Sequence, residues 1–326
     1  MSDAHIALRD DAAARSASDA REIAPGYRSY GAVLAASAQF EARGARAHVI
    51  ARSAGGHAVH ALEFGPPDAN AVVLALSGIH AMEWIGVETM LATLEALIAR
   101  PPTDRRILAV PVVNVDGYLQ AEADMGAGRK RFRRGNANGV DLNRNWPTNF
   151  RTKAPLAVLL PGVFRSGAAA LSEPEIAGIV RALDAGHARG DRLLRAVSLH
   201  SFGRKILYPW GARWARPRDV APMQRAAEAI RSAAGERYGI VQSARWVPGA
   251  FAYGMEIDHL HAAYGANVLL VECSSGGLRV TAPGSWVTPW RWFNPPDPRA
   301  SVAAIAPAVE RFIRSEDGVA DVVPAG

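Results

Sequence analysis

Short apolar runs of strand length alternate with stretches of helical spacing along most of this chain, and that alternation restricts the fold more than any other feature. Ala71 to Leu76 is a continuous apolar run stopped by Ser77-Gly78. It is followed by Trp84 to Ala99, where Ile85, Met90, Leu94 and Leu97 recur at helical intervals. Ile107 to Val115 reads as a second buried strand. Glu173 to Ala188 reads as a helix, with Ser172 as N-cap and Glu175 three residues on. The pattern continues with a strand at Ala196 to Leu199, a helix at Val220 to Ala234, a strand at Val268 to Val271 and a closing helix at Arg299 to Arg314. Upstream, His48 to Arg52 and His57 to Phe64 flank Ala54-Gly55-Gly56 as a hairpin. Strands alternating with helices predict an α/β domain whose mostly parallel sheet is covered on both faces.

Composition agrees with a globular fold and excludes several others. The chain has 326 residues, 49% of them hydrophobic and 21% charged, enough for a substantial core. A single cysteine, Cys273, excludes a disulfide scaffold and a metal site of clustered thiolates. On a strand next to Glu272 it reads as a buried structural thiol. The net charge of +6 raises the question of an acidic partner. However, only three of the 37 cations are lysines (Lys130, Lys153, Lys205), and no nucleic-acid motif accompanies them. The charge therefore reads as background, and no nucleic-acid partner is predicted. No stretch approaches the roughly 20 apolar residues of a membrane span. Met1 to Ala20 lacks the apolar core of a signal peptide, so the chain is expected to be soluble and cytoplasmic. Residues 1–25 are expected to form a flexible tail, and residues 26–326 the folded domain. The stretch from Gly117 to Gly167 has no clear periodicity, and irregular segments of that length are often functional.

In doubly wound sheets, sites form where strands end at their carboxyl edge, and four polar segments are candidates to carry chemistry. His80-Ala-Met-Glu83 follows the Ala71 to Leu76 strand; an imidazole and a carboxylate at that spacing can grip one ion, or simply cap a helix. Asn136 to Pro147 is turn-forming, and within it Asn143 and Arg144 offer donors that match a carboxylate, or an internal Asp. His200 ends the Ala196 to Leu199 strand, where a third metal ligand or a satisfied edge histidine would sit. Glu272 interrupts a buried apolar strand, which is costly unless the carboxylate is paired, metal-bound or catalytic.

Taken together and in this order, these segments resemble the zinc carboxypeptidases of the carboxypeptidase A type. Also similar are Pro111-Val-Val-Asn114-Val-Asp116-Gly117, Asp141-Leu-Asn-Arg-Asn-Trp146, Ser172-Glu-Pro-Glu175, His200-Ser-Phe-Gly203 and Leu207-Tyr-Pro-Trp-Gly211. The resemblance runs from about Val72 to Gly276. It implies a single α/β domain with a mixed, mostly parallel twisted sheet flanked by helices. It also implies one zinc ion held by His80, Glu83 and His200 with a fourth position open to water. By the same resemblance Glu272 is the general base for that water, and Asp141 orients His80. Asn143 and Arg144 hold the substrate's terminal carboxylate. Arg134 stabilises the oxyanion, with Arg133 as its runner-up in a crowded basic loop whose other reading is a solvated face. A cis peptide between Ser201 and Phe202 is implied as well.

The chain departs from the pattern in places. Met82 stands where many relatives carry a substrate-contacting arginine. Ungapped counting from Glu272 puts Ala250 at the substrate-capping tyrosine, with Tyr253 three residues away as a substitute. The same count puts Ile257 at the pocket floor, an apolar residue flanked by Glu256 and Asp258, which would suit a cationic side chain. The loop Pro248-Gly-Ala-Phe251 and the missing tyrosine also resemble bacterial murein peptide amidases, which cleave γ-D-glutamyl-diaminopimelate. The function implied is a metallocarboxypeptidase acting on peptides with a free C-terminus, the alternatives being such an amidase or an N-acyl amino acid deacylase. A non-catalytic binding protein on the same fold would be favoured by loss of a ligand or of Glu272, and all four residues are present. The Trp286 to Phe293 run reads as packing of a Pro-rich segment onto the domain, with a substrate-facing wall as the other reading.

Overall fold

The protein was analysed as a computed structural model, which describes residues 22–160, 162–235, 237–281 and 283–315. Ten strands follow in chain order: β1 (Glu22–Ala24), β2 (Tyr27–Arg28), β3 (Arg46–Arg52), β4 (Ala58–Phe64), β5 (Ala71–Ser77), β6 (Arg106–Val110), β7 (Arg192–His200), β8 (Lys205–Tyr208), β9 (Gly239–Gln242) and β10 (Asn267–Glu272). The first two pair as a small ribbon, and the other eight form one sheet in the order β3-β4-β6-β5-β7-β10-β8-β9. The middle of the sheet, β6-β5-β7-β10, is parallel; β3 and β4 extend it antiparallel on one side, and β8 joins β10 antiparallel on the other. The expected mixed α/β sheet is therefore the one observed. Of the expected N-terminal tail, residues 1–21 lie outside the described residues, while Glu22 to Ala24 pair with β2.

The central strands are apolar throughout because both their faces are covered. Val73 to Leu76 of β5 and Val268 to Val271 of β10 are all buried, as expected of parallel strands between helices. Helix Trp84–Ala99 packs against Arg299–Arg314, which also meets Val220–Ala233. Helix Pro174–Ala188 lies against β3 and β7, and Glu256–Tyr264 against β7 and β10. Trp84–Ala99 is apolar on nearly every side, and its Thr89 and Thr93 hydroxyls donate to the carbonyls one turn back. Among the described residues no helix is long and apolar enough to cross a membrane.

Three local expectations are corrected. Strand β6 stops at Val110, because Pro111 has no N–H to continue the ladder. A helix then starts at Val115, where the Asn114 side chain accepts from Gly117 N, and runs to Gly126. The Gly117 to Gly167 stretch is thus helical at its start, with short turns of helix at Leu142–Arg144 and Pro155–Leu159. The cap of Pro174–Ala188 is Glu173 rather than Ser172, since Pro174 takes the first helical position and Ser172 Oγ turns to Glu173. In the Trp-rich run, Trp290 is buried with its ring edge-on to Tyr27 (4.9 Å) and Trp84 (5.6 Å), so packing is its role there. Cys273 is a buried free thiol in the core, its pKa pushed up to about 12 by that burial.

Candidate metal centre and active site

The parallel strands end together, and the polar segments collect at that edge. Glu272, the last residue of β10, is in register with His200, the last of β7; Ser77, the last of β5, is in register with Leu199. From Ser77 the chain turns through Gly78 into His80 and Glu83. Gly78 has a positive φ (61°), and a Cβ there would crowd the backbone of Val112. Glu83 then occupies the cap position of helix Trp84–Ala99, without bonding its amides. Its side chain is thus free to face His200.

His80, Glu83 and His200 are all buried, and their donor atoms lie within 4.8 Å of one another. His80 Nδ1 is 2.8 Å from Glu83 Oε1 and 3.1 Å from His200 Nδ1, which is 2.8 Å from Glu83 Oε2. The far nitrogens of both rings face carboxylates: His80 Nε2 meets Asp141 Oδ1, and His200 Nε2 meets Glu256 Oε1, each at 3.1 Å. A histidine whose Nε2–H is held by a carboxylate presents its Nδ1 lone pair outward. Two such lone pairs and a carboxylate aimed at one point are the donor set of a zinc site with an open fourth position. Burial opposes charge on His200, but Glu83 and Glu256 outweigh it and push its pKa up to about 10. The negative surroundings that favour a proton there equally favour a divalent cation in its place.

Asp141 joins the metal cluster to the basic groups. It is fully buried and takes His80 Nε2, Arg134 Nε (2.8 Å) and the Asn143 amide (3.0 Å). Burial would raise its pKa, but Arg134, Arg144 and His80 hold it well below the usual carboxylate range. The loop carrying Arg134 is fixed to the His80 turn by Ala81 N donating to Arg134 O (3.2 Å). Arg134 NH1 approaches Glu83 Oε1 to 3.6 Å, whereas Arg133 is engaged by Asp124 and Gln120. Of the two sequence candidates, Arg134 is therefore the one that faces the cluster.

Asn143 and Arg144 are buried beside it. Arg144 NH1 donates to Asn143 O (2.6 Å), and among the described residues no carboxylate pairs with its guanidinium. Gly254 permits this packing: Trp146 N donates to its carbonyl, and a Cβ on it would lie 2.5 Å from Arg144 O. The ring of Phe164 packs against both guanidinium groups, 5.2 Å from Arg134 and 5.4 Å from Arg144. Glu272 is buried, and its Oε2 has no hydrogen-bond partner. Burial, reinforced by Glu83, pushes its pKa well above the ordinary value. The Ser201–Phe202 peptide is cis, as expected.

The remaining sequence candidates have the following surroundings. The Tyr253 ring is covered by Arg151, 4.4 Å from its centroid. Ile257 is fully buried in the hydrophobic core. Asp258 accepts Gly211 N, Ala212 N and Asn149 Nδ2, joining two loops, and its burial pushes its pKa up to about 6. Met82 is buried, its sulfur accepting from Arg133 N. Two contributors escaped the sequence reading. Glu256 was noted only as a neighbour of the pocket position, yet its carboxylate holds His200. Phe164 lies in the stretch read as irregular and carried no signal.

Comparisons with known proteins point to one family and one fold. A family model described as "Zinc carboxypeptidase" matches residues 32–268. Carboxypeptidase A2 of Mus musculus is 28% identical over 180 residues, which cover 50% of this chain and 42% of that protein. Zinc carboxypeptidase A 1 of Drosophila melanogaster is 26% identical over 200 residues, covering 59% and 44%. The chain thus spans less than half the length of these two relatives. Among solved structures, bovine thrombin-activatable fibrinolysis inhibitor in complex with tick carboxypeptidase inhibitor superposes with a TM-score of 0.68 at 19% identity, covering 87% of this chain and 94% of that one. The murein-tripeptide amidase of Escherichia coli O157 gives a TM-score of 0.52 at 21% identity, covering 84% and 95%.

Proposed function

The chain belongs to the zinc carboxypeptidase family, and on that premise we propose that it is a zinc-dependent metallocarboxypeptidase that hydrolyses the C-terminal amide bond of peptides. The observation that carries this reading is the convergence of His80 Nδ1, His200 Nδ1 and the Glu83 carboxylate beside two buried groups, Glu272 and Arg144, that form no ion pair among the described residues. Zinc, when bound, supplies a Lewis acid that polarises a carbonyl and brings the pKa of a water to about 7.

The chain's own residues account for the rest. Asp141 and Glu256 hold the Nε2–H of the two histidines, keeping both Nδ1 atoms available. Glu272 takes the proton from the attacking water and returns it to the departing amine. Burial, reinforced by the Glu83 carboxylate, raises its pKa. Arg134, its Nε spent on Asp141, directs its terminal N–H groups at the oxygen that becomes negative. Arg144 and Asn143 receive the substrate's terminal carboxylate in a site where, among the described residues, no carboxylate competes for the guanidinium. Phe164 keeps water from the faces of both arginines.

Amidating the C-terminus of a cleaved peptide tests the clamp. A lost charge-assisted pair in a buried site costs about 2–5 kcal/mol, so kcat/KM is expected to fall by at least about 30-fold. Equal rates for amidated and free peptides would remove Asn143 and Arg144 from that role.

A second reading, an amidase acting on γ-D-glutamyl-diaminopimelate, is favoured by one observation. Glu256 Oε2 is enclosed beside Asn143 with no hydrogen-bond partner, a carboxylate suited to the extra ammonium of diaminopimelate. Including that tripeptide in the cleavage panel separates the two readings.

A further inference from the structure

A recess of about 370 Å³ lies outside the site described above, lined among others by Lys130, Gly277, Arg279, Ser285, Thr288 and Arg291. No acidic side chain lines it, and none of its three cations has a carboxylate partner among the described residues. The neighbouring charges are all taken. Asp124 binds Arg129 and Arg133, Asp141 binds Arg134, and Asp297, the acid nearest Arg291 in the chain, is held by Arg299. The crowded basic loop of the sequence therefore divides: Arg129 and Arg133 share Asp124, Arg134 pairs with Asp141, and Lys130 lines the recess with cations from a segment about 150 residues away.

The recess is built on the same two loops as the active site. Lys130 precedes Arg134 by four residues, and Arg279 follows Glu272 by seven. The second loop closes tightly: a Cβ on Gly276 would lie 2.2 Å from Trp292 O, and one on Gly277 2.2 Å from Asn294 O. Arg279 is fixed by its N–H to Ser285 Oγ (3.2 Å) and by Trp286 Nε1 donating to its carbonyl (2.8 Å). The second loop also packs beside the strand end that carries His200: a Cβ on Gly276 would lie 3.2 Å from Phe202, two residues after His200, and the Phe202 ring packs against Phe293 (5.6 Å), which meets Phe132. Arg144 and Arg134 share Phe164, so the chain runs from the terminal-carboxylate clamp to Arg134 and then outward along the 130–134 loop to the recess.

We propose that this recess is a subsite for the acyl portion of the substrate, taking a carboxylate carried on the N-terminal side of the scissile bond. The proposal rests on the carboxypeptidase reading above. Three cations lining one recess, with no carboxylate partner among the described residues, attract an anion and repel a cation.

The test uses the full chain with zinc and three peptides that share their C-terminal residue and scissile bond. They differ upstream in Glu, Gln or Lys. The expected kcat/KM order is Glu, then Gln, then Lys, with Glu over Gln by about tenfold at low salt. The preference is expected to shrink at 1 M salt, where the Debye length falls to about 3 Å. In a Lys130→Glu/Arg291→Glu variant the Glu-to-Gln ratio is expected to fall to one or below. Equal rates for the three peptides with the unaltered protein, or a preference that survives the double substitution, would overturn the subsite and leave the carboxypeptidase reading standing. Failure to cleave any of the three would overturn both.

Discussion

Two groups of charges at opposite ends of the parallel strands are handled in opposite ways, a half-buried group at the amino end and a buried one at the carboxyl end. At the amino end, Arg106 opens β6 with its Nε on Ala69 O (2.6 Å), NH2 on Asp191 Oδ1 (2.5 Å) and NH1 3.5 Å from Glu63 Oε2, while Arg46 takes the other oxygen of Glu63 (2.6 Å). These charges form a closed set. At the carboxyl end, Glu272 Oε2 and Glu256 Oε2 are buried with no hydrogen-bond partner and no carboxylate pairs with the Arg144 guanidinium among the described residues, and two histidine nitrogens face each other at 3.1 Å. A satisfied buried charge secures the fold, whereas an unsatisfied one costs stability and persists where a ligand completes it. The contrast separates a structural edge from a reactive one within a single sheet.

The sharpest way to break that contrast is Glu272→Gln. Turnover is expected to fall by about 10²–10⁴-fold, the usual worth of a general base, with zinc content unchanged. Because the carboxylate is unpaired, thermal stability is expected to hold or rise. Steady-state kinetics with elemental analysis check this, and near-normal turnover would clear Glu272 of the role. A smaller effect is expected for Glu256→Gln, which weakens the hold on His200 Nε2. Zinc affinity or activity should fall by about 10–100-fold, as for other carboxylates that orient a ligand histidine. Competition with a chelator reads the affinity; an unchanged value would make Glu256 a packing residue. Smallest for activity is Arg106→Met at the amino end. Unfolding free energy should drop by about 1–3 kcal/mol, while kcat/KM per folded molecule stays the same. A kinetic loss there would erase the distinction between the edges.

How far the sequence shows all this depends on whether the controlling contacts are local. Trp84–Ala99 and Arg299–Arg314 are legible to the residue because periodicity and length suffice. His80, Glu83, His200 and Glu272 are legible because polar groups beside apolar strands stand out, and because their order resembles a known family. Strand β6 is shorter than its apolar pattern suggests, since Val112, Val113 and Val115 continue a pattern that Pro111 and the Asn114 cap interrupt. Strands β8 and β9 have four residues each and carry too little pattern to detect. Glu256 could be noticed but not assigned, because its partner His200 lies 56 residues away and the pairing exists only once helix Glu256–Tyr264 packs on β7. Phe164 touches Arg134 and Arg144 through a loop whose path no periodicity predicts.

Zinc stoichiometry paired with activity tests the central claim most directly. Purified protein, dialysed against metal-free buffer, is expected to retain about one zinc per chain and to cleave peptides with a free C-terminus. Chelation should abolish cleavage, and one equivalent of zinc should restore it. A metal-free preparation that keeps full activity would contradict the account.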